Sequence, residues 1–452
     1  MSEFIPAAGP ADTFGRAPGI GSRRPRAGRA PPAPWPRRAF VLAIGAFVLA
    51  ALTGSLLRFG VQHGMPYGLQ YLNVRHAHTH LMYFGWVTPA LFALIGVELL
   101  RRRGRPLPRA FGVAIAATLL TGALAYPPFL LSGYQLTQVG DARLPLSMIA
   151  AGLAVLAWYG WAATYLAASW HLRRDLALFA LDAAVLTLLV SSTGAWGLAL
   201  AALSPVASGT LMDALVHFYL DLFSHGWFAL ALLGLLLAAL PTPLEERRAT
   251  VDGRSPRAAL LVLLAGMLLS AFGALLGWPA VVVTALRLAA AAGLLALALR
   301  LTLAAARARE AALTLLAALL AAKALLDGAL AFDAAAAWSQ RMLLPVPLLH
   351  GYLLGFVTLT LVWLALRTWR PRATAAFWLA AAAVAVMLAS LAPLTVLFPA
   401  GWRGPWVLRA AAWASLLPTA AMVVVAATLV SARQRRRREA GSIAPTWFDR
   451  TP

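Results

Sequence analysis

The chain has 452 residues, of which 61% are hydrophobic and 12% charged, with a formal net charge of +22 and no cysteine. This composition predicts a polytopic membrane protein, because soluble domains carry about 25% charged residues. The lack of cysteine excludes disulfides, iron–sulfur clusters and thiolate-bound haem or zinc, so a metal or haem must be held by histidine, carboxylate, methionine or tyrosine.

The two ends of the chain have a different composition from the middle. Residues 1–38 are rich in Pro, Gly, Ala and Arg and contain no apolar run, and we interpret them as a disordered basic cytoplasmic tail. Residues 432–452 are predicted to form a second basic cytoplasmic tail. The other basic residues lie in short clusters between apolar runs, which argues against a nucleic-acid-binding surface.

Residues 39–431 are predicted to form a membrane domain of twelve helices. A run of about 20 apolar residues is long enough to cross a bilayer. No stretch alternates like a barrel strand, and a spanning helix satisfies its own backbone in lipid. The predicted fold class is therefore all-α, a polytopic integral membrane helical bundle. Its spans are numbered in chain order: 39–57, 77–100, 110–131, 144–170, 176–203, 214–240, 258–277, 280–300, 310–331, 343–366, 374–398 and 406–431.

The distribution of basic residues predicts the orientation of this bundle. If both termini are cytoplasmic, 30 of the 38 Lys and Arg residues fall in cytoplasmic segments. An excess of this size in alternate short loops is the pattern that orients membrane helices. We therefore expect a multi-pass protein of the bacterial cytoplasmic (inner) membrane, with both termini inside and lipid around it.

Histidines are concentrated in three of the predicted spans. Six of the eight lie in spans 2, 6 and 10, all of which run from outside to inside in this orientation. Ionisable side chains are costly in a bilayer and usually mark a function. The pattern predicts a shared haem or metal site in the outer half of the membrane. The alternative is that each histidine merely hydrogen-bonds a neighbouring helix.

Helical geometry separates the three histidines of span 2. His76 and His80 share one face of a helix, whereas His78 points elsewhere.

Span 6 carries a row of ionisable residues spaced four apart. His217 and Asp221, or Asp221 and His225, could chelate one metal, whereas His217 and His225 are roughly 12 Å apart along the helix axis. The alternative is a polar stripe along a proton-conducting path.

The remaining charges in or near the spans give weaker signals. Lys323 and Asp327 are spaced four apart and are predicted to pair with each other. Asp182 has no evident partner, and belongs either to an inner proton path or to a local network. Arginines at outer helix ends are candidates for binding the propionates of a haem or other anions: Arg75, Arg341, Arg403 and Arg409.

At this point the pattern resembles a known family. Twelve helices with histidines in the second, sixth and tenth are similar to subunit I of the haem–copper oxidase superfamily, which includes bacterial nitric oxide reductases. The family's second-helix motif is matched here by Arg75, His78, Thr79, Phe84 and Gly85. In the tenth helix, the match is carried by the stretch 348–356, which contains one histidine.

This resemblance implies one low-spin haem b between helices 2 and 10. Its axial ligands would be His78 and His350. Arg75 would lie near its propionates, and His76 and His80 would lie close by. Since two imidazoles fill both axial positions of the iron, such a haem transfers electrons and has no open site for oxygen.

The sequence also departs from the family at its oxygen-reducing centre. Leu348 stands where the family has the histidine that binds a second, high-spin haem, and residues 258–277 lack the family's His-His pair. The resemblance therefore implies an altered second centre at His217, Asp221 and His225, holding copper, iron or zinc if a metal binds there. Whether any oxidoreductase activity remains is left open.

The predicted function is that of an oxidase-like haem b protein in electron transfer or in sensing of redox state, nitric oxide or oxygen. An electron-donor subunit or a cytochrome would be its partner. Two alternatives stay open: a transporter or metal-handling permease that uses a histidine and aspartate relay, and an assembly subunit that has kept the fold without the chemistry.

Overall fold

The computed structural model describes residues 34–202, 204, 208–240, 256–370, 372–402 and 404–441, with side chains up to residue 431. Most of the predicted N-terminal tail lies outside the described residues. Its last five residues already belong to the first helix, Pro34–His63. At the other end, the last helix continues to Gly441, which extends it ten residues into the predicted tail.

The described residues contain twelve helices that are long and apolar enough to cross a bilayer, as predicted. The all-α membrane fold is therefore confirmed. In chain order the spans are Trp35–His63, Tyr71–Arg103, Arg109–Ser132, Leu146–Ser169, Leu176–Ala202, Gly209–Ala239, Pro256–Leu275, Ala280–Arg307, Ala311–Leu330, Pro345–Trp369, Thr374–Leu394 and Pro405–Ser431.

Several of the described connections between spans contain short elements of their own. Strands β1 (Thr137–Val139) and β2 (Ala142–Leu144) pair antiparallel between spans 3 and 4. A helix at Asp333–Arg341 precedes span 10. Short 3₁₀ turns are formed by Pro66–Gly68, Ala392–Leu394 and Ala400–Trp402.

The structure also confirms the predicted break between spans 7 and 8. Gly277 adopts a left-handed backbone conformation with φ of +70° there, which a residue with a Cβ rarely adopts.

Spans 2, 6 and 10 form the centre of the bundle. Their most apolar windows are 89, 83 and 72% buried, whereas no other span exceeds 67%. The three helices contact one another pairwise, and span 1 packs against both span 2 and span 12. Trp86 Nε1 of span 2 donates to Thr358 Oγ1 of span 10 at 3.3 Å. The three helices that carry the intramembrane histidines are thus the inner helices of the fold.

The same three helices share a local irregularity. Each contains a π-helical segment, in which the turn is wider than in an α-helix: Leu81–Val87, Asp221–Phe228 and Gly351–Thr358. Such segments are frequent at functional sites, because they change the direction of the side chains. In all three, a glycine is followed by an aromatic residue: Gly85-Trp86, Gly226-Trp227 and Gly355-Phe356.

Ion pairs connect helices at the ends where the arginine clusters lie. Arg102 of span 2 contacts Asp175 at 2.7 Å, just before span 5. Asp182, which has no evident partner in the sequence, is paired in the structure: Arg174 Nε lies 2.7 Å from its carboxylate, and Tyr165 Oη donates to it at 2.7 Å. Asp182 therefore belongs to a local network of polar side chains.

Candidate functional site

His78 is oriented by the backbone of span 1. Its Nδ1 lies 2.7 Å from the carbonyl oxygen of Ala50. A carbonyl oxygen only accepts hydrogen bonds, so Nδ1 must carry the hydrogen. The lone pair of the neutral ring is therefore on Nε2. Metal-binding histidines are commonly oriented in this way, with one ring nitrogen donating to a carbonyl oxygen and the other binding the metal.

Gly54 leaves room for this ring. It lies one helical turn after Ala50 on the same face of span 1. A Cβ at position 54 would meet His78 Cε1 at 2.8 Å. Only glycine therefore allows the imidazole to approach span 1 closely enough for its hydrogen bond.

His350 is held in the same way, but by its own helix. Its Nδ1 lies 2.7 Å from the carbonyl oxygen of Val346. Nδ1 again carries the hydrogen and Nε2 the lone pair. The next two glycines of span 10, Gly351 and Gly355, border open space, since a Cβ added to either would meet no atom within 4 Å. Span 10 therefore leaves space unfilled at both glycines that follow its histidine.

The fold brings these two imidazoles together with an arginine that sequence reasoning missed. His78 and Arg58 both lie close enough to His350 for a charge on either to be felt there, and a charge on Arg58 would also be felt at His78. Arg58 is half-buried, and it makes no hydrogen bond or ion pair within the described part of the chain. The four-residue spacing of Ala50, Gly54 and Arg58 on one face of span 1 is the signal that could have revealed it.

His76 and His80 lie on a different face of span 2, as predicted. His80 stacks on Phe129 of span 3 at 3.7 Å between ring centroids. Its Nδ1 lies 3.0 Å from the His76 carbonyl oxygen and its Nε2 3.3 Å from Tyr134 Oη. Both nitrogens of His80 thus have partners, and His76 is in edge contact with the Tyr134 ring at 4.8 Å. Neither is oriented towards the pair formed by His78 and His350.

The predicted set on span 6 is not a cluster. His217 is exposed and Asp221 is half-buried. His225 instead meets span 9, where its Nδ1 lies 3.0 Å from Lys323 Nζ. Among the residues that the structure describes, no three of His, Asp or Glu are close enough together to hold a metal ion. The prediction that Lys323 pairs with Asp327 is confirmed.

The structure describes three of the four arginines predicted to bind propionates. Arg75, Arg341 and Arg409 are exposed. Arg403 lies outside the described residues. Sequence position alone selected arginines near the outer helix ends, whereas the arginine next to the two histidines is inside span 1.

The sequence matches no protein-family model and no curated protein significantly. The functional argument therefore rests on this geometry.

Proposed function

We propose that the chain binds one haem b between spans 2 and 10, with His78 and His350 as its two axial ligands. The observation that carries the proposal is the shared tautomer of the two histidines. Each Nδ1 donates to a backbone carbonyl, so each Nε2 has a free lone pair, and spans 2 and 10, which carry the two rings, contact each other.

The surroundings fit a flat ligand that carries carboxylates. Gly351 and Gly355 border open space beside His350. The Arg58 guanidinium, half-buried and without an anionic partner among the described residues, supplies a charge that a propionate would neutralise. The apolar inner helices around the pair would keep water from the ring.

When bound, the haem would supply one-electron chemistry by cycling between its ferric and ferrous states. The chain's own residues would fill both axial positions, which disfavours oxygen binding and favours electron transfer or redox sensing. We propose the bacterial cytoplasmic membrane as its location, because the basic clusters orient the bundle with the paired histidines in the outer half. The proposed partner is an electron-donor subunit or a cytochrome.

Optical spectroscopy of the purified full-length protein tests this proposal. We expect a reduced-minus-oxidised spectrum with sharp low-spin b-type bands, a pyridine haemochrome assay giving about one haem per chain, and no spectral change with carbon monoxide, because both axial positions are occupied. A colourless preparation from a haem-replete host would overturn the proposal and favour the transporter alternative. A carbon monoxide complex would overturn the assignment of two axial histidines.

A further inference from the structure

A buried lysine lies beside His225, the histidine of span 6 that contacts span 9. The Lys323 side chain of span 9 is only 6% exposed. It reaches between spans 6 and 10, where its Nζ meets three groups. These are Nδ1 of His225 at 3.0 Å, the carboxylate of Asp327, and the ring of Tyr352 at 4.6 Å from its centroid.

These three groups form the surroundings of a cation. An imidazole lone pair and a carboxylate are the donors that a divalent transition metal takes in proteins. The aromatic face adds a further attraction for a positive charge. Tyr352 is fixed in place because its Oη donates to the backbone carbonyl of Ser224. The cluster therefore resembles a metal centre in which an ammonium group occupies the place of the metal.

The hydrogen bond to Lys323 prevents His225 from acting as a metal ligand. An ammonium group only donates hydrogen bonds, so Nδ1 of His225 must accept with its lone pair. The hydrogen of the neutral ring is then on Nε2, which has no lone pair left for a metal. A divalent ion near the ammonium would also be repelled, since like charges at contact distance repel strongly where water is excluded.

We infer that the second polar site of the bundle excludes metal ions, because the Lys323 ammonium group already occupies the position of the cation. The site joins spans 6, 9 and 10 through His225, Lys323 and Asp327. Metal exclusion is independent of whether haem binds. Its consequence rests on the proposed function: the chain would hold a single redox centre, and so would pass electrons one at a time rather than reduce a substrate between two metals.

Replacing the ammonium with an imidazole tests this inference directly. In Lys323→His, three ligands would converge, namely the new imidazole, Asp327 one turn further along span 9, and His225. We expect the purified full-length variant, treated with chelator and titrated with Co²⁺, to bind about one ion per chain with the visible absorption of a tetrahedral site. The matched double variant Lys323→His/Asp327→Asn is expected to bind Co²⁺ at least about tenfold more weakly. If Lys323→His binds no Co²⁺, the ammonium does not occupy a cation site and the inference is wrong.

A second measurement does not depend on the folding of that variant. The wild type and His225→Ala are titrated with Zn²⁺ and Co²⁺ side by side, and we expect identical stoichiometries. A wild-type metal ion that disappears in His225→Ala would overturn the inference. Neither titration uses the haem spectrum, so failure of the haem proposal and failure of metal exclusion give different results.

Discussion

The paired site at His78 and His350 and the polar cluster at His225 differ in the partner of the histidine Nδ1 atom. In the paired site, a backbone carbonyl accepts from each Nδ1. In the polar cluster, the Lys323 ammonium donates to it. The first arrangement leaves a lone pair on Nε2, and the second uses the lone pair up. Histidines on neighbouring inner helices thus have opposite capacities for binding a metal.

The residue type of a membrane histidine and its depth in the bilayer therefore do not decide its role. A single hydrogen bond fixes the tautomer, and the tautomer decides whether the ring can act as a ligand. The two basic residues near these histidines also differ in whether they already have a partner. Arg58 has no anion within the described residues and is available to a ligand, whereas Lys323 is already paired with Asp327.

The largest expected effect comes from removing either imidazole of the paired site. In His78→Ala or His350→Ala, the haem content per chain should fall by about tenfold or more, because one axial bond is lost. The haemochrome assay on purified protein measures this. His225→Ala is the matched control from the polar cluster, and it should keep the wild-type haem content. Equal losses in all three variants would mean that the two regions do not differ as described.

The next largest effect concerns the ion pair of the polar cluster. Lys323→Met leaves the partly buried Asp327 carboxylate without its cation, which should lower the free energy of unfolding by about 3 kcal/mol. The double variant Lys323→Met/Asp327→Leu removes both charges and should recover most of this loss. Thermal unfolding in detergent measures both. If the single and double variants unfold at the same temperature, the pair does not stabilise the bundle.

A smaller effect is expected from the arginine of the paired site. Arg58→Gln removes a positive charge from beside the proposed haem site, and a cation near a haem iron disfavours the more positive ferric state. The midpoint potential should therefore fall, by on the order of 50 mV. Redox titration of the haem bands measures the shift. The exposed Arg75 on span 2 provides the control, since Arg75→Gln should leave the potential within error of the wild type. A shift in Arg75→Gln alone would favour the arginine chosen from the sequence.

The smallest effect is expected on the other face of span 2. Tyr134→Phe removes the hydroxyl that donates to His80 Nε2. The hydrogen bond is partly exposed, so the free energy of unfolding should fall by about 0.5–1 kcal/mol, with no change in haem content. Thermal unfolding and the haemochrome assay measure the two quantities. Loss of haem in Tyr134→Phe would indicate that His80, and not His78, faces the ligand.

The sequence was sufficient to predict the architecture. Apolar length and arginine clusters predicted twelve spans, and even the short break at Gly277 was located correctly. The helical period also predicted that His78 lies on a different face of span 2 from His76 and His80. These features depend on local chain properties, namely hydropathy and periodicity, which a single sequence contains.

The site depends on contacts between distant segments, and these were predicted only in part. The pairing of Lys323 with Asp327 is local and was found. Its contact with His225 joins residues 98 apart, and no spacing rule predicts it. The position of Arg58 follows from the packing of span 1 against spans 2 and 10, which no local spacing encodes. The wider turns of the inner helices share a glycine followed by an aromatic residue, and this dipeptide does not by itself predict a π-helical turn.

Electron paramagnetic resonance of the ferric protein tests the central claim most directly. The claim is that the Nε2 atoms of His78 and His350 bind one haem iron. We predict a low-spin signal in the wild type, conversion to a high-spin signal in His350→Gly, and return of the low-spin signal when imidazole is added to that variant. A low-spin signal that is unchanged by His350→Gly, or the lack of any haem signal in the wild type, would contradict the account.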